Sequence, residues 1–78
     1  MAAEDVKVVY DGWSAGMKKV ALTKLLREKG GLPLSEAKTV TDRVLDGERV
    51  VLDGFSDKKA AKIVRKSSEL GAKCHVEA

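Results

Sequence analysis

A chain of 78 residues with 44% hydrophobic and 35% charged residues has the composition of one small folded domain rather than of a disordered tail. A domain of this size has room for one layer of helices on one sheet, which excludes the large enclosed pocket that most enzymes use. The net charge of +3, from 15 basic and 12 acidic residues, gives only a weak preference for acidic partners.

The first strand is predicted over Val6–Tyr10 from its β-branched and aromatic residues, and a turn-rich segment over 11–16 follows it. Apolar residues then recur with helical spacing and predict a first helix over Met17–Lys29, which two glycines end. The predicted buried face of this helix consists of Leu22, Leu25, Leu26 and the stem of Lys29.

A second helix follows a Leu-Pro-Leu connector, with Ser35 as its predicted N-cap, Glu36 in its first turn and Gly47 at its end. Its apolar stripe is Ala37, Val40 and Val44, with Thr41 at the edge. Val50–Leu52 is a short apolar run bounded by charges, which predicts a second strand.

Ser56 is the predicted N-cap of a third helix, which Gly71 ends. Its apolar residues follow the helical spacing at Ala60, Ile63, Val64 and Ser67. From Ala72 to Glu77 small or apolar residues alternate with polar ones, which predicts a last, half-buried strand.

The predicted order is therefore β-α-α-β-α-β, an α+β two-layer sandwich in which a three-stranded sheet is covered on one face by three helices. Residues 1–5 are expected to form a flexible N-terminus, and residues 6–78 a single domain. No stretch approaches the ~20 apolar residues of a membrane span, and no apolar run of signal-peptide length is present, so we expect a cytoplasmic protein without membrane contact.

Residues 12–16 match G-x-S-x-G, the nucleophile motif of the α/β-hydrolases, between a predicted strand and a predicted helix. Ser14 would need a base, and His75 is the single histidine. That fold also needs a large parallel sheet, so we interpret the motif as a glycine-rich turn and expect no enzymatic activity. Cys74 is the single cysteine, and the sequence predicts no disulfide, metal site or cofactor.

The third helix carries five basic residues on its outer face, at Lys58, Lys59, Lys62, Arg65 and Lys66. Such a face can bind phosphates, but no GxxG clamp or aromatic platform accompanies it. An ordinary solvated face is therefore the favoured interpretation, and nucleic-acid binding is disfavoured.

The first helix carries a second stripe opposite its leucines, formed by Val20, Thr23, Lys24 and Arg27 and flanked by Lys19. Val20 thus stands on the basic, outward side. An apolar centre with a charged rim is the pattern of a small protein interface. A single exposed valine is also common, and the pattern alone leaves both interpretations open.

Two segments of this helical hairpin, KVALTKLLR at Lys19–Arg27 and GLPLSEAK at Gly31–Lys38, resemble the C-terminal domain of the bacterial ribosomal stalk protein. The pattern of that family is K-V-A-V-I-K-x-V-R, four residues, then L-G-L-K-E-A-K, and the spacing agrees without a gap. Shorter similarities at residues 54–56, 60–61 and 70–73 extend the resemblance over Val6 to Glu77.

The resemblance implies the same β-α-α-β-α-β sandwich and a hairpin that binds translational GTPases, among them the elongation factors, in association with the ribosome. Basic side chains would meet an acidic helix of such a GTPase or of another protein, and Val20 would supply the apolar centre. Carried over residue by residue, the implied protein-binding surface is Lys19, Val20, Thr23, Lys24, Arg27, Leu34, Glu36 and Lys38.

Besides exchanges of valine for leucine, the chain departs from the family pattern at three places in the hairpin. Thr23 stands where the family has isoleucine, Pro33 where it has glycine, and Ser35 where it has lysine. The N-terminal dimerisation region and hinge of the stalk protein have no counterpart here, so the chain is expected to be an excised domain or a free-standing relative.

The ClpS adaptor of a AAA+ protease chaperone shares this fold and gives an alternative function. Residues 46–55 loosely resemble its region around the second strand. Its N-D-D segment and its substrate-pocket histidine are missing, so the stalk-domain interpretation ranks first.

Overall fold

A computed structural model describes residues 5–77, which form three strands and three helices. In chain order these are β1 (Asp5–Trp13), α1 (Lys19–Glu28), α2 (Leu34–Leu45), β2 (Val50–Ser56), α3 (Asp57–Glu69) and β3 (Ala72–Glu77). The predicted element order is confirmed. Of the expected flexible N-terminus only Asp5 is described, and it begins β1; the remainder lies outside the described residues.

The strands form one antiparallel sheet in the order β2-β1-β3. Tyr10 on the central strand pairs with Val50 on one side and with Cys74 on the other. The helices pack on the face that carries Val8 and Tyr10, and their apolar sides complete a single core. The structure therefore confirms the predicted two-layer sandwich, with the sheet covered on one face.

The core is built from the apolar stripes that the sequence predicts for the helices. Leu22, Leu25 and Leu26 of α1 are buried, and so are Ala37, Val40 and Val44 of α2 and Ala60 and Ile63 of α3. Lys29, in contrast, is exposed and lies beyond the end of α1, so its predicted place on the buried face is wrong. None of the helices within residues 5–77 is long and apolar enough to cross a membrane.

Strand β1 continues three residues beyond its predicted end, through a segment that the sequence suggests is a turn. A bulge after Tyr10 shifts the register, and Gly12 and Trp13 then pair with Lys73 and Ala72 of β3. The Trp13 indole N–H donates a hydrogen bond of 3.0 Å to the Leu45 carbonyl oxygen at the end of α2. Pairing with a strand sixty residues away overrides the local turn preference.

The helix ends agree with prediction at α3 but not at α2. Ser56 caps α3 by accepting a hydrogen bond of 3.3 Å from the backbone N–H of Lys59, as predicted. Ser35 is not the cap of α2, because the helix begins two residues earlier than predicted, at Leu34, and Pro33 occupies the N-cap position. Pro33 has a φ of −60° and an extended ψ of 156°, which direct the chain into the first turn without a side-chain cap.

A buried hydroxyl pair joins the sheet to α3. The Tyr10 hydroxyl lies 2.8 Å from Ser67 Oγ, and both side chains are fully buried. Burial raises the pKa of Tyr10 from 10.0 to about 12, because the phenolate would lose its hydration. Since the pKa is higher in the folded chain, the neutral phenol stabilises the fold fully below pH 10, and this contribution is lost as the pH rises toward 12.

The free energy of unfolding of the wild-type chain should therefore fall by up to about 3 kcal/mol between pH 10 and 12 because of Tyr10. Tyr10→Phe should lower stability by about 1 kcal/mol at pH 7, through the lost hydrogen bond, and should remove this part of the alkaline loss. Urea unfolding of both proteins at pH 8 and pH 11.5 measures the difference. An equal alkaline loss in the two proteins would contradict the assignment.

Gly71 connects α3 to β3 with a φ of +103°, and a Cβ placed there would lie 2.9 Å from Met17 Cα. Gly71→Ala should therefore destabilise the fold by roughly 1–3 kcal/mol, from backbone strain and a clash with backbone that cannot move away. Gly12→Ala is the matched control, because its added Cβ would meet only Lys73 Cδ, at an ordinary contact distance of 4.0 Å. The measurement is the midpoint temperature of thermal unfolding. An equal decrease of this temperature in the two variants would contradict the predicted clash at Gly71.

Candidate protein-binding site

Helices α1 and α2 pack side by side and leave an outer face that is not used by the core. Their leucine, alanine and valine stripes point inward, whereas Val20 is 76% exposed and Leu34 is 45% exposed. These two residues belong to different helices and line the same depression. The structure thus places two aliphatic side chains in solvent on one surface of the hairpin.

We call this surface the hairpin groove and define it by two adjoining depressions, of about 400 Å³ and about 300 Å³. Val20, Thr23 and Lys38 line both of them. The first depression also includes Lys24, Arg27, Glu28 and Leu34, and the second includes Lys19, Thr41 and Asp42. The groove is open and shallow, a shape suited to a protein surface rather than to an enclosed small molecule.

The charges around the groove are mostly positive. Four basic side chains line it, at Lys19, Lys24, Arg27 and Lys38, against the two carboxylates of Glu28 and Asp42, for a net charge of +2. All six are exposed, and none forms an ion pair within residues 5–77. The positive field of the groove is therefore not neutralised by internal ion pairs in this part of the chain.

The structure brings seven of the eight residues expected at the site into this groove. Glu36 is separate: it lines another depression, between α2 and β2, together with Leu32, Val40 and Leu52. Two residues apart on a helix, Glu36 and Lys38 lie on opposite sides of α2. Glu28 and Asp42 were not expected, although each follows a basic residue of the site by four positions, a spacing that places both on one helix face.

A pair of threonine hydroxyls forms the bottom of the groove, where the helices meet. Thr23 Oγ1 lies 2.9 Å from Thr41 Oγ1 on the neighbouring helix, and 3.0 Å from the carbonyl oxygen of Lys19 one turn back. Thr41 Oγ1 lies 2.9 Å from the carbonyl oxygen of Ala37. Thr41 is buried and Thr23 half-buried, so Thr23 is the member of the pair that contacts solvent.

A second polar cluster lies on the opposite face of the sheet, around His75. The imidazole Nδ1 is 2.9 Å from Asp11 Oδ2, and Nε2 is 2.7 Å from Glu77 Oε2. Arg49 bridges both carboxylates, at 3.6 Å and 3.1 Å. The pKa of the Glu77 carboxyl is lowered, chiefly because it accepts a hydrogen bond from His75, and the Arg49 charge adds to this.

The geometry of this cluster is that of a network of side-chain contacts rather than of a metal site. The two imidazole nitrogens are directed at carboxylates on opposite sides of the ring, so they share no common point where a metal could bind. Within residues 5–77 no group of three or more His, Cys, Asp or Glu side chains has the geometry of a metal site. Val9 pairs with His75 and is fully buried on this face, although the helices pack on the other one.

The fold and the groove together define a class of small α+β sandwich domains with an exposed helical hairpin. Comparison with known proteins identifies the family within that class. The chain belongs to the ribosomal protein L7/L12 C-terminal domain family, whose model matches residues 6–77. The resemblance seen in the hairpin sequence is thereby confirmed over nearly the whole chain.

Individual relatives are large ribosomal subunit proteins bL12. The chain is 32% identical to the protein of Thermotoga maritima and 34% identical to that of Bacillus cytotoxicus, covering in each case 97% of this chain and 61% of the relative. It is 38% identical to the protein of Micrococcus luteus over 82% of this chain and 52% of the relative. The chain thus spans about three fifths or less of the length of these relatives.

Because Val20 and Lys24 are exposed and uninvolved in the core, substitutions there should leave the fold intact. We expect Val20→Asp and Lys24→Glu each to change the free energy of unfolding by no more than about 0.5 kcal/mol. Urea unfolding followed by circular dichroism measures this. Losses comparable to that of a core change such as Leu22→Ala, about 2–5 kcal/mol, would show that the groove residues serve the fold itself.

Proposed function

We propose that this chain is a non-enzymatic protein-binding module that binds translational GTPases, such as the elongation factors, through its hairpin groove. The observation that carries the proposal is the exposed aliphatic pair, Val20 and Leu34, inside a rim with a net positive charge. Membership in the L7/L12 C-terminal domain family supports a role in translation, because the relatives are ribosomal proteins.

The partner surface that fits this groove is an acidic amphipathic helix. Its carboxylates would face Lys19, Lys24, Arg27 and Lys38, and its apolar side chains would cover Val20 and Leu34. A helix laid in a groove between two helices is a recurrent way for proteins to recognise one another. The exposed carboxylates of Glu28 and Asp42 would favour a partner whose own charge becomes less negative toward the two ends of the groove.

The same features predict the kinetics of binding. Exposed charges act mainly by steering the approach, so association should be fast and should slow as salt is added. The groove is shallow and its apolar area small, so dissociation should also be fast. A contact of this kind suits a partner that is engaged and released repeatedly, as a GTPase is during translation.

The relatives are named as proteins of the large ribosomal subunit, and we extend the proposal to that location in the cytoplasm. The chain corresponds to about three fifths of such a relative, and we propose that this module acts near the ribosome. The groove would then capture GTPases in the vicinity of the subunit.

Titration of the isotope-labelled chain with a purified elongation factor tests the proposal directly. We expect chemical-shift changes concentrated on α1 and the first turns of α2. The double variant Val20→Asp, Lys24→Glu should weaken binding by at least tenfold, because it introduces two negative charges where acidic groups approach and removes the apolar centre.

Lys58→Glu together with Lys62→Asp on α3 is the control, since both lysines are exposed and line a different depression, which shares no residue with the hairpin groove. It should change affinity by no more than about threefold. Equal losses in the two double variants would indicate a general charge effect and overturn the assignment to the hairpin. Absence of shift changes with any elongation factor would overturn the partner class.

A further inference from the structure

The threonine pair at the bottom of the hairpin groove makes three short oxygen–oxygen contacts but has only two hydroxyl protons to donate. Three oxygen–oxygen distances of 2.9–3.0 Å join Thr23, Thr41 and the carbonyls of Lys19 and Ala37. Two hydroxyls carry only two protons. Thr41 is buried, so its proton must go to the Ala37 carbonyl or to Thr23 Oγ1. The proton of Thr23 has two internal acceptors of its own, the Lys19 carbonyl and Thr41 Oγ1.

Every arrangement that keeps both protons on internal acceptors leaves Thr23 Oγ1 with an unused lone pair. Thr23 is half-buried and lines both depressions of the groove, so its side chain is part of the surface that a partner would cover. The groove therefore has a hydroxyl with a free acceptor position among the three residues that line both of its depressions, Val20, Thr23 and Lys38.

From this geometry we infer that Thr23 is a specificity-determining residue of the groove, selecting a partner helix that places a hydrogen-bond donor opposite it. The inference deepens the proposed function and rests on it in taking the groove as the binding surface. A donor such as a Gln, Asn or Ser side chain satisfies Thr23 without disturbing the internal bonds.

The alternatives each carry a cost. An aliphatic side chain would cover the Thr23 oxygen and remove it from water without replacing the lost hydrogen bond. A carboxylate could be accommodated only if the Thr23 hydroxyl gave up its hydrogen bond to the Lys19 carbonyl or to Thr41 and donated to the carboxylate instead. The preferred partner is thus an acidic helix whose central contact residue is polar and uncharged, with its carboxylates placed around that residue.

Synthetic acidic amphipathic peptides of about 18 residues are the probe, a length that allows a helix to form on binding. One parent carries leucine throughout its apolar stripe, and a series replaces each stripe leucine in turn by glutamine. We expect one central glutamine peptide to bind the wild-type chain about five- to tenfold more tightly than the parent, as measured by calorimetry or by chemical-shift titration.

Two variants of the chain separate selectivity from a role in holding the helices together. Thr23→Val removes the acceptor with almost no change of shape. The Thr41 hydroxyl can still donate its hydrogen bond to the Ala37 carbonyl. This variant should lose the preference or reverse it in favour of leucine. Thr41→Val is the matched control: Thr23 still donates to the Lys19 carbonyl and still offers a lone pair, so the preference should persist.

The result that overturns the inference is a series with no glutamine preference in the wild-type chain, or one in which Thr23→Val and Thr41→Val behave alike. Failure of every peptide to bind overturns it as well, because the groove then has no occupant of this chemistry. These outcomes are distinct from failure of the proposed function, which would appear as a missing response to elongation factors while the peptides still discriminate.

Discussion

The central strand β1 is the constraint on which the remainder of the structure depends. Both of its edges are paired, and Val8, Val9 and Tyr10 at its middle are completely buried from both sides. The helices must cover Val8 and Tyr10, and the ionic side chains around His75 lie on the face of Val9. With only three strands, a layer of three helices suffices, and α1 packs mainly on α2 and α3 rather than on the sheet.

This arrangement explains why the proposed binding surface lies on the hairpin. A helix that packs on other helices buries one stripe of side chains in the core and leaves the opposite stripe exposed to solvent. In α1 the free stripe carries Val20 and Lys24, and α2 adds Leu34 and Lys38 beside it. A chain of this size has little room for an enclosed pocket, so recognition is expected to use an outer surface, and the hairpin carries two exposed aliphatic side chains, Val20 and Leu34, in one groove.

Local sequence signals predicted the helices and strands well wherever interactions between neighbouring residues determine their limits. Ser56 caps α3 as predicted, since a serine before an acidic first turn satisfies the free N–H groups at a helix start. The extension of β1 to Trp13 was missed because it depends on pairing with β3. Seven of the eight expected site residues do share one groove, whereas Glu36 lies on the other side of α2 from Lys38, as the helical period requires for residues two apart; the residue-by-residue resemblance did not use this signal.

The contact between Thr23 and Thr41 is harder to predict from the sequence. Each threonine has a carbonyl one turn back as a local acceptor, and in an isolated helix each hydroxyl would use it. Only the packing of α1 on α2 brings the two hydroxyl oxygens to 2.9 Å. Two hydroxyl protons must then serve three short oxygen–oxygen contacts. Thr23, which on a helical wheel is one polar member of the basic outer stripe, thereby becomes, through tertiary structure, the acceptor on which the inferred selection of a partner rests.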